Sequence, residues 1–375
     1  MSAWRWRPSR QRRSLTEVTM RPLVLLLTVV LMISSTRAQA EVLHELRPLG
    51  REQSVLRIYG AADFPVIKPF FDAFRERYPG VRIRYSEFGT RNLYQRFLER
   101  YPDTPDLMLS SAMDLQVKLV NDGYAQPYRS PETAALPAWA NWRDEIFGFT
   151  YEPAVIAINR QRMPGDQLPR NRAELLDLIR RHSDKLRGRI GTFDIAQVGV
   201  GYLTWSYDSR QSASYGRMLE SFGSHQARLF PSSAAMLQAL TDGEITVAYN
   251  LLGSYSHAWA KRHPEIQVVL PSDYTTLVMR TAFIPDNAAN PTDAKRLLDF
   301  LLSREGQQLL ADRSSLYPIR EDITGETTAS ALRRDRRSPL RHIPLGPSLL
   351  IQTDQASRRA LLEQWRRAMP NLDLP

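Results

Sequence analysis

The sequence predicts an α/β fold of two lobes, each a mostly parallel sheet flanked by helices. Three observations support this prediction. The chain has 375 residues, which is enough for two hydrophobic cores. A strand-helix-strand unit near the start requires a crossover between parallel strands. A later run, residues 232–255, has the pattern of a helix, a turn, a strand and a polar loop.

The first forty residues have the pattern of a secretory signal peptide. A basic segment precedes an apolar run at residues 23–33, and residues 38–40 (Ala-Gln-Ala) form a small-x-small cleavage site. A permanent anchor is the weaker interpretation, because crossing a bilayer takes about 20 apolar residues. Met20 is an alternative start, and the arginine pair at 12–13 leaves twin-arginine export open beside the general secretory route.

Composition favours export to the periplasm of a Gram-negative cell. The sequence contains no cysteine, which excludes disulfides, thiolate chemistry and lipid attachment at a cysteine. Residues 1–40 hold seven of the 50 basic residues and one of the 40 acidic ones, so their removal reduces the formal net charge from +10 to +4. This balance argues against nucleic acid as a partner and is compatible with an anionic ligand.

The first βαβ unit places a small polar loop at one edge of the predicted sheet. A strand at residues 55–59 leads into the loop that contains Ala62 and Asp63. Apolar residues then recur at helical spacing over 66–74, and a second strand alternates over 81–85. Ligands of α/β proteins bind outside the carboxyl ends of the strands, so Ala62 and Asp63 are candidate ligand contacts.

Three further strands end in polar residues. The strand at 105–109 is followed by Ser110 and Ser111, which could instead simply cap the next helix. Thr192 and Asp194 hold the equivalent position after the strand that begins at residue 189.

In the run 232–255, a strand that alternates from Ile245 to Tyr249 is followed by Asn250, Ser254 and Tyr255. These three are candidate ligand contacts, and the alternative is an ordinary polar surface loop.

These segments resemble the substrate-binding proteins of bacterial ABC transporters, in the branch that includes ferric-ion, sugar-phosphate and polyamine binders. The resemblance rests on the aromatic helix and Pro-Gly turn at 70–85, the strand 105–110, the Asp-Gly-Glu-Ile segment at 242–245 and the segment 303–310. It covers most of residues 54–315. It implies the type II periplasmic-binding fold, in which two α/β lobes are joined by a strand hinge.

The resemblance also implies a division of the chain. Lobe 1 would comprise residues 54–150 and 271–320, and lobe 2 residues 151–270, with hinge strands near residues 150 and 270. Residues 321–375 would form a C-terminal extension of helix and loop packed on the lobes. In the resembled family the residues after strand 105–109 face the cleft between the lobes, and Tyr151 with Glu152 would face it from the hinge.

No constellation of catalytic residues stands out in the sequence. It has no Gly-x-Ser-x-Gly elbow, no His-Glu-x-x-His pair and no phosphate-binding P-loop, and its six histidines are scattered. We therefore expect no enzyme activity, no cofactor and no metal; a periplasmic hydrolase has no supporting motif. Ferric-ion binders of the resembled family have adjacent tyrosines after the lobe 2 strand, where this chain has Tyr255 alone, so an organic ligand is favoured over iron.

The expected function is capture of a small solute in the cleft, by hinge closure, and delivery to an inner-membrane ABC permease. An organic anion such as a phosphorylated sugar is the favoured ligand. The alternatives are a binding protein that signals to a sensor kinase and a ferric-ion-binding protein. A periplasmic monomer is expected, and the predicted ligand contacts are Ala62, Asp63, Ser110, Ser111, Tyr151, Thr192, Asp194, Asn250, Ser254 and Tyr255.

Overall fold

The computed structural model describes residues 42–99, 104–163, 165, 167–314, 316–334 and 337–369. The predicted signal peptide, residues 1–40, lies outside this part of the chain. Within the described residues, no helix combines the length and the apolar character needed to cross a membrane.

The strands of the described residues are short and mostly buried. In chain order they are β1 (Val42–Leu46), β2 (Ser54–Gly60), β3 (Val81–Glu87), β4 (Leu107–Ser110), β5 (Asn141–Trp142), β6 (Ile146–Gly148), β7 (Glu152–Asn159), β8 (Ile190–Phe193), β9 (Arg228–Phe230), β10 (Val247–Leu252), β11 (Ile266–Val269), β12 (Thr275–Val278), β13 (Thr281–Phe283) and β14 (Leu340–His342).

The helices alternate with these strands. In chain order they are α1 (Phe64–Arg77), α2 (Thr90–Glu99), α3 (Met113–Asn121), α4 (Pro131–Ala134), α5 (Arg172–Arg181), α6 (Ser183–Leu186), α7 (Gly199–Gln211), α8 (Tyr215–Ser224), α9 (Ser233–Thr241), α10 (Gly253–Ala260), α11 (Pro291–Leu302), α12 (Arg304–Leu309), α13 (Ala329–Arg334), α14 (Leu350–Thr353) and α15 (Gln355–Ala368). Short 3-10 helices cover Ala138–Ala140, Arg160–Arg162 and Pro347–Leu349, and a short π-helix covers Leu310–Ser314.

Two sheets form the two lobes, and this confirms the predicted α/β class. The lobe 1 sheet has the order β1-β3-β2-β4-β13-β6-β5, and the lobe 2 sheet has the order β14-β12-β7-β10-β8-β9, with β11 also paired to β7. The sheets are mixed rather than mostly parallel. Strands β7 and β13 run antiparallel to their neighbours, because each enters its sheet from the opposite lobe.

Two stretches of chain connect the lobes. The first runs from β6 to β7, close to the predicted hinge at residue 150. The second runs from β12 to β13 through Met279 and Arg280, so the predicted boundary at residue 271 lies too early. Val278 of β12 pairs with Glu152 of β7 in the lobe 2 sheet, so the chain belongs to lobe 2 up to residue 278.

The lobe 1 core is built on the aromatic face of α1. Phe70, Phe71 and Phe74 are fully buried at helical spacing, and the ring centroid of Phe70 lies 4.9 Å from that of Phe300 on α11. Truncation of one such ring to alanine typically costs about 3–5 kcal/mol. The predicted strand-helix-strand unit follows from this periodicity, with β2 and β3 parallel on the sheet beneath the helix.

The C-terminal segment is a structural part of lobe 2. Strand β14 pairs with β12 in parallel. Trp365 of α15 is completely buried, and its ring centroid lies 4.8 Å from that of Trp205 on α7. The same segment also touches lobe 1, because the Leu345 amide donates a hydrogen bond of 2.8 Å to the Trp139 carbonyl.

Candidate functional site

Arg280 and Glu152 face each other where the two lobes are connected. Arg280 lies in the second connection, and Glu152 is the first residue of β7, directly after the first connection. The Arg280 Nε atom is 3.5 Å from the Glu152 Oε1 atom, and the side chains are 3% and 0% exposed. We call the region formed by these two residues, Ser254, Tyr255 and the loop 61–63 the interlobe site.

The polar atoms of this region have few protein partners. Both Glu152 carboxylate oxygens, the Arg280 Nε atom and the Ser254 hydroxyl are buried and make no hydrogen bond of good geometry among the described residues, although Ser254 and Arg280 lie close enough to the Glu152 carboxylate to lower its pKa. The one direct bond from the guanidinium, from Nη1 to the Ala61 carbonyl, is long at 3.4 Å. Buried polar groups are nearly always hydrogen-bonded, so this cluster is suited to a bound polar molecule.

Burial and charge act together on the two ionisable groups. Burial raises the pKa of Glu152, and the positive charge of Arg280 offsets only part of that shift. Burial also lowers the pKa of Arg280, but interaction with Tyr255, Glu152 and Asp63 outweighs it and raises the pKa above its ordinary value. Arg280 therefore remains a cation in a site from which water is excluded.

Two tyrosines hold the loop that follows β2. The Tyr85 hydroxyl accepts a bond of 3.1 Å from the Ala62 amide and donates to the Ala62 carbonyl. The Tyr255 hydroxyl, from α10 of lobe 2, accepts a bond of 3.3 Å from the Asp63 amide. Gly60 permits this arrangement, because a Cβ atom there would lie 2.2 Å from the Tyr85 ring.

The lobes are closed on each other in this structure. Besides the bond between Asp63 and Tyr255, the Gly199 amide at the start of α7 donates a bond of 2.9 Å to the Thr90 hydroxyl of α2. Both bonds join lobe 1 to lobe 2, and they lie at the loops after strands β2, β3 and β8. The closed arrangement therefore depends on polar contacts between the rims as well as on apolar packing.

Helix N-termini from both lobes lie close to these loops. Helix α1 follows β2, α3 follows β4, and α10 follows β10 without an intervening loop. The free amides and the dipole of a helix N-terminus favour a negative charge. The interlobe site thus combines the donors of Arg280 and these amides with the carboxylates of Glu152 and Asp63, which act on Arg280.

Several predicted contacts do lie around this site. Ala62 and Asp63 form the loop, Tyr255 bonds to it, and Ser254 presents its unpartnered hydroxyl. Ser110 and Ser111 are buried at the end of β4. The Ser110 hydroxyl accepts a hydrogen bond of 3.2 Å from the Ala112 amide, just before α3. Ser110 therefore partly fills the helix-capping role that the sequence left open as the alternative to ligand contact.

The structure does not bring the other predicted contacts to these groups. Tyr151 packs against Trp139, with a ring centroid distance of 5.7 Å, and beneath the Arg333 guanidinium. The Thr192 hydroxyl is occupied by the Trp205 indole at 2.9 Å.

Asp194 and Asn250 also have local partners. The Asp194 carboxylate accepts from the Ala196 amide at 2.9 Å, and burial raises the pKa of that carboxyl. The Asn250 amide donates to Asp208 at 3.0 Å. These four predicted contacts remain predictions, and the contacts of this closed structure do not support them.

Sequence reasoning missed Arg280, Tyr85 and Thr90 as parts of the site. Arg280 carries the clearest signal, since it is a cation inside an otherwise uncharged run of the β12–β13 stretch, residues 275–284. A charged residue within a buried strand is rare unless it is paired. Tyr85 and Thr90 carry no such signal, because a tyrosine in a strand and a threonine at a helix start are both ordinary.

The tyrosine hydroxyls of this arrangement serve in hydrogen bonding. Among the described residues, no group of three or more histidine, aspartate and glutamate side chains is placed to hold a metal ion. Burial raises the pKa of both Tyr85 and Tyr255, so their hydroxyls stay protonated and act as hydrogen-bonding groups.

Comparison with known proteins identifies the family. The model of the bacterial extracellular solute-binding protein family matches residues 56–313, which is more than half of the chain. The chain belongs to this family. The recognition made from residues 70–85 and 242–245 is thereby confirmed at the level of the family. Among curated protein sequences, none matches the chain significantly.

Solved structures agree with this assignment. The substrate-binding protein of an ABC transporter from Agrobacterium tumefaciens is 35% identical, with a TM-score of 0.84, and the match covers 88% of this chain and 99% of that one. The periplasmic binding protein AfuA from Actinobacillus pleuropneumoniae, solved with fructose-6-phosphate, is 16% identical, with a TM-score of 0.72, and covers 86% and 100%. Iron-bound HitA from Pseudomonas aeruginosa is 16% identical, with a TM-score of 0.65, and covers 84% and 99%. The last two show likeness of fold alone.

Proposed function

We propose that this solute-binding protein captures a small organic anion, such as a phosphorylated sugar, in the interlobe site and delivers it to an ABC permease. The observation that carries the proposal is the buried guanidinium of Arg280. It lies between the lobes with Nε unpartnered, and its ζ carbon is 5.4 Å from the centre of the Tyr255 ring. Guanidinium groups bind carboxylates and phosphates through paired hydrogen bonds.

The carboxylate of Glu152 narrows the class of ligand. Both of its oxygens are buried acceptors without partners, so they need donors on the solute. Sulfate supplies none and hydrogen phosphate only one or two, whereas the hydroxyl groups of a sugar supply several. An anionic group near Arg280 and hydroxyl groups near Glu152 together describe a phosphorylated sugar or a related hydroxylated acid.

Ferric ion is a poorer match to these groups. Iron prefers anionic oxygen ligands such as phenolates, and the Tyr85 and Tyr255 hydroxyls are already bonded to the backbone of the loop 61–63. Burial raises the pKa of both tyrosines, which disfavours the phenolate form. The buried cation of Arg280 would also repel the metal.

Closure couples binding to delivery. A solute that contacts Arg280 and Ser254 touches the connection and lobe 2 at once, and it stabilises the closed state by its greater affinity for that state. We propose that the protein acts as a periplasmic monomer and that the closed form is recognised by an inner-membrane permease. Cells without the protein should then lose uptake of the solute; intact uptake with a lost transcriptional response would favour the sensor-kinase alternative.

Native mass spectrometry tests the ligand class directly. Protein isolated from the periplasm without refolding should carry an added mass that matches an anionic, hydroxylated metabolite. The variant Arg280→Gln should lose that mass. Arg304→Gln, a change of a side chain that is 66% exposed on lobe 1, is the matched control and should keep it.

A second variant guards against the case in which Arg280→Gln loses the solute because it misfolds. Ser254→Ala removes one unpartnered hydroxyl and leaves the Arg280–Glu152 pair intact, and it should retain less of the same solute. Thermal unfolding with glucose 6-phosphate, glucose and ferric citrate then compares the classes, because a ligand of the folded state raises Tm. Retention of the mass by Arg280→Gln, or a Tm rise with ferric citrate alone, would reject the proposal.

A further inference from the structure

A second group of buried polar side chains lies where α3 of lobe 1 meets α7 of lobe 2. Asp114 and Gln116 come from α3, Tyr202 comes from α7, and each is about 1% exposed. One Asp114 oxygen, both polar atoms of the Gln116 side chain and the Tyr202 hydroxyl have no hydrogen-bond partner among the described residues. Asp114 acts on the Tyr202 phenol, whereas Gln116, two residues later, lies on another side of α3. We call Asp114 and Tyr202 the α3–α7 cluster.

Closure of the lobes brings this cluster together. A Cβ atom on Gly199, the first residue of α7, would lie 2.9 Å from the Cβ atom of Ala112, which precedes α3. Tyr202 follows Gly199 by about one helical turn, and Asp114 is two residues after Ala112. The bond from the Gly199 amide to Thr90 fixes the same junction.

The C-terminal segment closes the other side of the cluster. The Ser206 hydroxyl of α7 donates to the Gln352 side chain of α14. Helix α14 also packs against α3. The segment therefore contacts both lobes beside Asp114, and Gln352 and Ser206 are buried together.

No cation faces Asp114 from these elements. Burial raises the pKa of Asp114 to about 7, opposed only by amides at the start of its own helix. From α7, the Tyr202 phenol is the titratable neighbour, and Arg210 and Asp354 act on that phenol. The Arg358 guanidinium of α15 lies 4.4 Å from the centroid of the Tyr202 ring. Strands β6 and β13, the 3-10 helix Pro347–Leu349 and α14 contribute no titratable side chain.

Helix α2 begins at this junction with Thr90 and Arg91, and the Arg91 charge acts on Asp194, which precedes α7. Later residues of α2 face the other end of α3. Helix α2 places Tyr94 beside Lys118 and Asp122, which pair with each other at 2.7 Å in the last turns of α3. Asp122 therefore supplies a control carboxylate at the end of α3 opposite to Asp114.

We propose that closure of the two lobes is linked to the uptake of one proton by Asp114. When the lobes open, α7 withdraws from α3 and the carboxyl faces water, where it is ionised at neutral pH. In the closed arrangement an ionised carboxylate would be buried without a cation, which is costly. A protonated carboxyl can instead donate to the unpartnered oxygen of Tyr202, the phenol on which the Asp114 charge acts.

The direction of the pH dependence follows from linkage. The ordinary pKa of an aspartate is about 4, and that of Asp114 in the closed structure is about 7. Between these two values the closed state holds one proton more than the open state, so the ratio of closed to open molecules falls about tenfold for each unit of rising pH. Above about pH 7 both states are ionised and the dependence ends. This linkage is independent of which solute binds to Arg280.

Distance measurements between spin labels test the proposal without a ligand. Because the sequence contains no cysteine, Lys68→Cys in lobe 1 and Lys185→Cys in lobe 2 give two unique labelling sites, both exposed. In the mature protein the fraction of closed molecules should fall between about pH 5 and pH 7 and level off above that. In the Asp114→Asn variant the fall should be clearly smaller, and what remains should come from Glu152, whose pKa burial also raises.

The matched control is Asp122→Asn, which removes a carboxylate from the opposite end of the same helix. It should reproduce the pH dependence of the parent protein. A distance distribution of the parent that does not respond to pH would overturn the proposal. So would a response in Asp114→Asn equal to that of the parent, or its loss in Asp122→Asn.

Discussion

Two buried arginine–carboxylate pairs in this protein have opposite surroundings. In lobe 2, Arg172 and Asp208 are buried, with side chains 1% and 3% exposed and 3.2 Å apart. Between the lobes, Arg280 and Glu152 are equally buried at 3.5 Å. The first pair is surrounded by hydrogen-bond partners, and the second is almost without them.

The lobe 2 pair is part of a complete network. Asp208 accepts from the hydroxyls of Tyr249 and Tyr274 at 2.7 and 2.6 Å, and from Asn250 at 3.0 Å. Arg172 donates to the Tyr249 hydroxyl and, through Nη1, to both oxygens of Asp273. Such a network stabilises one arrangement of the lobe, and it leaves no group of the pair free for a ligand.

The interlobe pair has polar atoms that remain available for hydrogen bonds with a ligand. The unpartnered atoms of Arg280, Glu152 and Ser254 represent an energetic cost to the empty closed state. A solute that pairs with them removes that cost, so it favours closure. Burial of charge alone therefore does not distinguish structural from ligand-binding pairs; the degree of hydrogen-bond satisfaction does.

The largest expected effect is on the stability of lobe 2. Asp208→Ala removes an acceptor shared by four groups and leaves Arg172 as a buried cation that only Asp273 can compensate. We expect a loss of about 3–5 kcal/mol in the free energy of unfolding, measured in urea. Asp273→Ala, at a position 33% exposed, is the control and should cost much less. Equal losses would show that the network is not centred on Asp208.

Replacing both partners of a pair with apolar residues should have opposite effects on stability at the two pairs. The double change Arg280→Met with Glu152→Leu removes charges that lack partners, so stability should be unchanged or higher by about 1–4 kcal/mol. Retention of the solute should be lost. The equivalent change Arg172→Met with Asp208→Leu should instead destabilise the protein, because it leaves the buried hydroxyls of Tyr249 and Tyr274 without their acceptor. Destabilisation by both double changes would contradict the distinction.

Most of the fold could be predicted from periodicity. The alternation in β2 and β3 and the spacing of phenylalanines on α1 specify elements whose burial is local, and the structure has them. The division of 276–285 into β12 and β13 could not be predicted. Its alternation continues without a turn residue, and the strand changes sheet only because β7 and β4 offer edges in different lobes.

The site depended on single-residue register, which sequence patterns do not resolve. Tyr151 and Glu152 are consecutive, so side-chain alternation directs them to opposite sides, and the structure turns Glu152 toward Arg280 and Tyr151 toward Trp139. Asn250 has a φ of 64° at a bulge in β10, and its side chain bonds to Asp208. A bulge adds one residue and so reverses the alternation after it.

Asn250 should therefore affect stability more than binding. Asn250→Ala loses the bond to Asp208 and puts alanine in the left-handed region, which asparagine tolerates better, and we expect a loss of about 2 kcal/mol in unfolding free energy. Asn250→Gly loses the same bond without the backbone strain, and its loss should be about 1 kcal/mol. Urea unfolding separates the two values. A variant of full stability that releases the solute would instead support the predicted contact with ligand.

The smallest expected effect is the most specific to the interlobe pair. Ser254→Ala removes a buried hydroxyl that has no partner in the closed protein, so the free energy of unfolding without solute should stay within about 0.5 kcal/mol of the parent value. If the solute satisfies that hydroxyl, its affinity should fall by about 1 kcal/mol, or roughly fivefold. Ser256→Ala on the same helix is the matched control, because its hydroxyl is already bonded to the Leu252 carbonyl at 3.0 Å; it should leave affinity unchanged. Equal affinities of Ser254→Ala and the parent for the retained solute would mean that unpartnered atoms at this junction do not mark ligand contacts, and the comparison between the two pairs would lose its functional meaning.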